Sequence, residues 1–404
     1  MPNVAQDMIA IQNVVKEIYL PYMNNMLNVE ADPFLAKIPK APMQGEGVFG
    51  ARIGVAGNVG MSEERAPTPI SKAPLYSRMK FTPKDGYVEL AISHKAVQLG
   101  RNSKAAMVDA VADYMTASYE AAKWNTARMV YGNGTGVLAN IVSAASGTTE
   151  ITVDAVNNVI VGLTVDVHTY ADGEPTLVTA NEKVQIIAID PKNNKITLSN
   201  PVTATTAESG AYGFITVQQS YGREITGLGA IFDDSVDEIY GLNKSENIIL
   251  KPQKIDAEHQ IDDTIITRAV RSAHDMYGAD IDTLLFGDDA YDAYERFMKS
   301  SASHVNLVEK REFVGGASGY SIIVGNRKID VVNARHVPKG KIWGADSSLF
   351  EFRDTGWDFA DYQGSPFVLK AGTSEYRGLL ANYMELICKN PGAAFEIDNA
   401  DEQA

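Results

Sequence analysis

Cysteine is nearly missing from this chain: Cys388 is the single one in 404 residues. A lone thiol excludes an intramolecular disulfide framework, so cohesion has to come from packing, and the composition fits a chain made in a reducing compartment. Long apolar runs are missing too. None approaches the roughly 20 residues that cross a bilayer, and no basic stretch leads into an apolar core at the start, so a soluble protein without a signal peptide is expected. Basic residues are in deficit, 36 Lys and Arg against 51 Asp and Glu, for a net charge of −15. A surface that grips nucleic acid throughout needs clustered Lys and Arg, which this composition does not supply. Signatures of catalysis are lacking as well. The histidines His94, His168, His259, His274, His304 and His336 have no HExxH spacing, and no GxSxG elbow occurs. Cys388 stands among apolar residues without a neighbouring His, the pattern of a buried, inert thiol. The pairs Asp233-Asp234, Asp262-Asp263 and Asp288-Asp289 fit no EF-hand spacing and read as solvated helix starts. No catalytic, cofactor-binding or metal-binding residue is assigned.

What is present is an ordinary globular balance, 45% apolar and 22% charged, at a length that allows two or three domains with ample core. The organising stretch is residues 102–136, NSKAAMVDAVADYMTASYEAAKWNTARMVYGNGTG. Residues 104–130 contain no Gly or Pro and carry Ala at nearly every turn, and Ser103 is a good N-cap. Met107, Val111, Tyr114, Ser118, Ala122 and Met129 recur at helical spacing and predict a buried stripe on a helix about 40 Å long. It stops at Gly132-Asn133-Gly134-Thr135-Gly136. That run follows a helix and lacks the Lys of a phosphate loop, so it reads as a helix end.

Around this beam the chain changes character repeatedly. Residues 5–27 predict an amphipathic helix through Met8, Ile11, Val15, Ile18, Tyr22 and Met26. Residues 45–92 predict a long β-ribbon, with strands at 48–55, 78–81 and 87–92, a turn at Asp85-Gly86 and a Pro-rich middle, APTPISKAP. Its six basic residues (Arg52, Arg65, Lys72, Arg78, Lys80, Lys84) against five acidic ones leave it at +1, so an acidic neighbour would attract it. Residues 145–217 look inserted: Ser and Thr become dense, and short strands at 159–170, 183–189, 195–199 and 213–217 suggest a small, acidic β-barrel or sandwich. Residues 218–345 return to mixed α/β, with helices at 263–277 and 288–299, a strand at 283–286 and a hairpin over Gly325-Asn326. Residues 233–295 hold sixteen acidic against five basic side chains. Strands at 349–352, 367–370 and 383–389 close the chain.

Taken in this order, and with YGNGTG after the long helix and SEYRGLLANYMELICKNPGAAFEI near the end, the chain resembles the major capsid proteins of tailed bacteriophages, the Hong Kong 97 type fold. The resemblance implies an α+β subunit with an N-terminal arm (1–45), an extended loop (46–92), a peripheral domain with the spine helix (93–144), an inserted β-barrel-like domain (145–217), a peripheral continuation (218–250), an axial domain (251–345) and closing peripheral strands (346–404). It further implies self-assembly through pentamers and hexamers into an icosahedral head shell, in a virion assembled in the host cytoplasm. The partners implied are a separate scaffolding protein, a portal, a decoration protein and packaged double-stranded DNA contacted non-specifically, with no membrane. Met8, Ile11, Val15, Ile18, Arg65, Lys72, Arg78 and Lys80 are the expected subunit-interface residues. Crosslinking through a loop Lys, an Asn and a Glu occurs in some relatives, but no Asn and Glu can be matched here. An encapsulin-type compartment shell shares the implied fold, and an acidic metal-dependent enzyme is the reading from a different class.

Overall fold

The computed structural model describes residues 32–52, 58–65, 67–70, 73–74, 76–94, 104–144, 147–171, 174–202, 213–300, 309–312, 318–324, 327–360 and 367–401. The expected helix at 5–27, the N-cap Ser103 and the turn at Gly325-Asn326 lie outside them. Helix α1 (Pro33–Lys37) and strand β1 (Lys40–Pro42) precede a ribbon of β2 (Gly47–Arg52) and β3 (Tyr76–Phe81), then β4 (Lys84–Ser93) and the long helix α2 (Lys104–Tyr131). Strands β5 (Val137–Ala144), β6 (Thr148–Val153), β7 (Thr164–Ala171), β8 (Glu174–Thr176), β9 (Val184–Asp190), β10 (Lys195–Val202) and β11 (Phe214–Val217) follow. Next come α3 (Leu228–Phe232), a small hairpin of β12 (Glu238–Ile239) and β13 (Leu242–Asn243), β14 (Gln253–Asp256), α4 (Asp263–Tyr277), β15 (Thr283–Phe286) and α5 (Asp288–Ser300). The rest is β16 (Glu309–Glu312), β17 (Ser318–Val324), β18 (Arg327–Asn333), β19 (Ile342–Ala345), β20 (Phe350–Asp354), β21 (Asp358–Phe359), β22 (Phe367–Leu369), β23 (Glu375–Cys388) and β24 (Phe395–Asp398).

Strand β23 ties the two ends of the chain together. Along one edge it pairs with β4 from Glu375↔Ser93 to Met384↔Lys84, and along the other with β22, β21 and β20 in turn. Strand β1 extends this sheet in parallel on β20. Alternate residues Gly378, Leu380, Asn382, Met384, Leu386 and Cys388 point into the core, as a period of two requires. Asp85-Gly86 is no turn but lies inside β4, opposite Tyr383 and Asn382. The long ladder overrides the local turn signal, and the glycine is closely packed, since a Cβ there would meet the Met384 methyl at 2.9 Å and the Asn382 carbonyl at 3.3 Å.

Helix α2 packs on this sheet with Ala122 and Met129 of the expected stripe inward, but Met115 and Tyr119 are buried in place of Tyr114. Met115, Tyr119, Thr126, Met129 and Val130 are buried and Ala122 is partly so, while Tyr114 is 43% exposed. Alanine at nearly every turn leaves the apolar side poorly marked, so the tertiary partner decides the rotation. From Thr126 to Tyr131 the helix is buried on all sides.

The inserted strands form a sheet ordered β11-β5-β6-β10-β9-β7-β8, and β11 pairs with β7 as well as β5, which closes a barrel. Its core includes Ile151, Val165, Val167, Ile186, Ile196, Leu198 and Ile215. The closed sheet takes in β5, so it begins at Val137 and not at 145, and the first predicted strand starts at Thr164 and not at 159. The glycine break marks the boundary, since Leu138, Ala139 and Ile141 already face the barrel core.

A mixed sheet ordered β14-β24-β19-β15-β18-β17-β16 packs against α4 and α5. Asp262 caps α4 by accepting from the Ile265 amide at 2.8 Å, and Gly278 ends it in the left-handed region at φ 66°. Ile266, Ala269, Val270 and Ala273 face inward, with Ile265 partly buried.

Candidate assembly surfaces

The ribbon starts from a firm root. β2 and β3 pair from Gly47↔Phe81 to Arg52↔Tyr76. Phe49 packs edge-on to Tyr240 at 5.7 Å, Met79 and Phe81 are buried, and the Lys80 amide donates to the Tyr240 carbonyl at 2.8 Å. Away from the root the cover runs out. Val48 and Tyr76 are already exposed, and further along Val59, Met61 and Ile70 are 92%, 105% and 78% exposed. The two arms still face each other, because a Cβ on Gly60 would sit 3.0 Å from Pro69. Prolines 67 and 69 carry no amide proton, so this stretch cannot form a ladder interior. Of the expected interface residues, Arg78 and Lys80 lie exposed on one face of β3. Arg65 is exposed in the outer loop, with φ 69°. Lys72, Met8, Ile11, Val15 and Ile18 lie outside the described residues.

Where the described chain begins, it is anchored between α2 and the mixed sheet. Tyr131 donates its hydroxyl to Asp32 at 2.6 Å, and Asp32 accepts from the Phe34 amide at 2.8 Å to start α1. Burial pushes the Asp32 carboxyl above its usual range and the Tyr131 phenol well above its own. Lys37 donates to the Asp282 carbonyl, the Thr283 hydroxyl and Asp330 at 3.0, 2.8 and 3.1 Å.

The barrel meets the body at the glycine break, where sequence reasoning found no functional residue. Gly134 and Gly136 take φ of +84° and +82°, and Asn133 donates to Asp233 at 2.8 Å across the break. Arg128 of α2 forms a fully buried ion pair with Glu224, and Asn125 steadies the guanidinium. The Thr226 and Leu386 amides donate to Glu385 at 2.7 and 3.1 Å. Burial outweighs these bonds and pushes the Glu385 carboxyl up to about 7. Arg335 donates to the Asn157 carbonyl at 3.1 Å, and His336 Nδ1 lies 2.9 Å from Asn158 Oδ1. Burial, with Arg335 and Arg128 nearby, holds the His336 imidazole down at about 4, so it is neutral at pH 7. Beside these bonds opens a cleft of about 500 Å³, lined by Val156, Ile160, Val161, Ile189 and Pro191, with Asp288 and Arg335 at its polar edge.

Cys388 and the Asp233-Asp234 pair are taken up by the fold. Cys388 is fully buried, its thiol pushed up to about 12 by burial, and its amide donates to the Tyr240 hydroxyl at 3.0 Å. Asp233 accepts from Asn133 and Ser235, and Asp234 pairs with Lys254 at 2.6 Å. Among the described residues no group of three or more His, Cys, Asp or Glu side chains could hold a metal ion. Nor is any described helix long and apolar enough to cross a membrane.

No protein-family model matches the sequence, and no curated protein matches it. Solved structures do match the fold. The capsid asymmetric unit of Cyanophage A-1(L) is similar with a TM-score of 0.51, over 93% of this chain and 94% of that one, at 12% identity. A structure from Mycobacterium phage Bobi has a TM-score of 0.45, covering 93% and 92% of the two chains at 11% identity. The encapsulin complex from Synechococcus elongatus also has 0.45, over 92% and 90% at 9% identity. The cyanophage match runs nearly end to end in both chains, and it establishes the architecture: this chain has the α+β, Hong Kong 97 type fold of phage capsid subunits.

Proposed function

We propose that this protein is the major capsid protein of a tailed phage, which self-assembles into an icosahedral head shell around the genome. The observation that carries the proposal is the ribbon, whose tip exposes Val59, Met61 and Ile70 almost completely. Apolar side chains clustered in the open mark an interaction surface. A capsid-fold subunit that reaches out an uncovered apolar arm makes sense as one tile among neighbours.

On this reading residues 1–45 are an arm and 46–92 an extended intersubunit loop. The sheet around β23, with α2, is the peripheral domain, and the mixed sheet with α4 and α5 is the axial domain around the five- and six-fold centres. Met8, Ile11, Val15, Ile18, Arg65, Lys72, Arg78 and Lys80 contact neighbouring subunits. Partners are other copies of the chain, then separate scaffolding, portal and decoration proteins, and DNA held non-specifically. The virion is the location, after assembly in the host cytoplasm. The role is structural and not enzymatic, which agrees with the acids and the thiol being spent on caps, ion pairs and core.

Purified protein is expected to form closed, symmetric particles in electron micrographs and a large species in light scattering. A monodisperse monomer at high concentration and in every salt would sink the proposal. Particles from the native source that hold a protein cargo in place of DNA would favour an encapsulin-type shell.

A further inference from the structure

We infer that the apolar cleft between the barrel and the body receives the ribbon tip of a second copy of this chain. The inference rests on the shell reading and names the two surfaces that meet. One is convex: Val59, Met61 and Ile70, which their own chain leaves 92%, 105% and 78% exposed. The other is concave: the open cleft of about 500 Å³ under the barrel. Its wall continues outward as an uncovered apolar surface. Val161 and Ile187 are 59% and 55% exposed, and they are neighbours because the Gly162 amide donates to the Ile186 carbonyl at 2.8 Å. Val142 on β5, 55% exposed, is a further apolar residue on the outside of the barrel.

The polar groups at the two surfaces are complementary. Asp288 and Arg335 edge the cleft, and Glu63, Glu64 and Arg65 stand exposed at the tip. One cation and at least one anion on each side allow crossed pairs, while the apolar side chains supply the burial. The two surfaces lie on different parts of one chain and do not touch within it. Contact between copies is therefore head-to-tail, the kind of interface that closes into rings when the rotation fits.

Paired cysteines in the full-length chain test this. Cys388 is completely buried and does not compete. In Met61→Cys/Val161→Cys protein, mild oxidation of assembled material should give a ladder of disulfide-linked chains on a non-reducing gel. Met61→Cys/Tyr114→Cys, which places the second thiol on an exposed turn of α2, should give at least fivefold less. Val161→Asp should lower assembly yield at least tenfold while the subunit's melting temperature stays unchanged. Particles that form normally with no ladder, or with a stronger ladder to position 114, overturn the cleft as the docking site and leave the shell reading standing. Loss of both thiols without a ladder shows the tip folding back on its own cleft and overturns the second copy. A chain that stays monomeric overturns the inference and the shell reading together.

Discussion

The barrel and the ribbon are both excursions of β structure from the same body, and they are built in opposite ways. The barrel closes on itself. Strands β11 and β7 meet, and Val165, Val167, Ile196 and Ile215 are wholly buried inside. The ribbon has two strands, open edges and a tip whose apolar side chains face solvent. A two-stranded ribbon is marginal by itself in water, so its order has to come from its root and from whatever covers its tip. One excursion is complete within the subunit; on the shell reading, the other is completed by a neighbouring subunit.

The largest expected effect would come from truncating the barrel core. Ile196→Ala should cost about 2–5 kcal/mol of folding stability, because it leaves a cavity among packed neighbours. Met61→Ala at the ribbon tip should change it by less than about 0.5 kcal/mol, since nothing in the subunit packs there. Denaturant melts of the two variants check this, and a comparable loss in both would erase the contrast.

The seam between barrel and body comes next. Glu385 has its folded pKa raised from 4.5 to about 7, so the folded state holds this proton more tightly than the unfolded state. The ionised form therefore penalises folding above pH 7, by about 3 kcal/mol, and the penalty fades as pH falls from 7 to 4.5. His336 has the opposite sign. Its folded pKa is lowered from 6.5 to about 4, so stability is lost as pH falls from 6.5 towards 4. The two slopes offset each other in the native protein. Glu385→Gln should melt higher than the native chain at pH 8 and should show the His336 slope uncovered below pH 6.5. A melting temperature unchanged at pH 8 would mean that Glu385 is solvated.

The smallest effect on the subunit is expected from reversing Arg65, Arg78 and Lys80 to Glu. Exposed charges like these contribute about 0–1 kcal/mol each. Helix content and melting should stay nearly native while assembly yield falls and its salt response changes. Unfolding of the isolated subunit, or assembly at full yield, would show that the ribbon does not work between subunits.

Some elements could be read from local pattern alone. Helix α4 runs over the expected 263–277 and starts at the Asp262-Asp263 pair that reads as a helix start. Strand β15 lies where its apolar run places it, and β17 and β18 pair antiparallel as a hairpin requires. Glu385 could not be read. Strict alternation along β23 assigns it to the solvent face, yet it is 2% exposed, because the segment that returns from the barrel covers the second face of the sheet there. The cleft was invisible for the same reason: its walls come from β9, the segment before β7, the start of α5 and Arg335, which are far apart in the chain.

By itself, then, the sequence determined the kinds of element and their order: the Gly-free helix and its glycine stop, the ribbon whose Pro-rich middle cannot ladder, the Ser- and Thr-dense strands. These depend on backbone preference and on the period of apolar residues, which act over a few neighbours. Tertiary structure alone decided which side of the Ala-rich helix is buried, that Asp85-Gly86 runs straight through a strand, where the barrel begins, and which acids lose water. Those outcomes depend on contacts between residues distant in sequence, and a β23 ladder or a covering segment outweighs a local preference of about 1 kcal/mol.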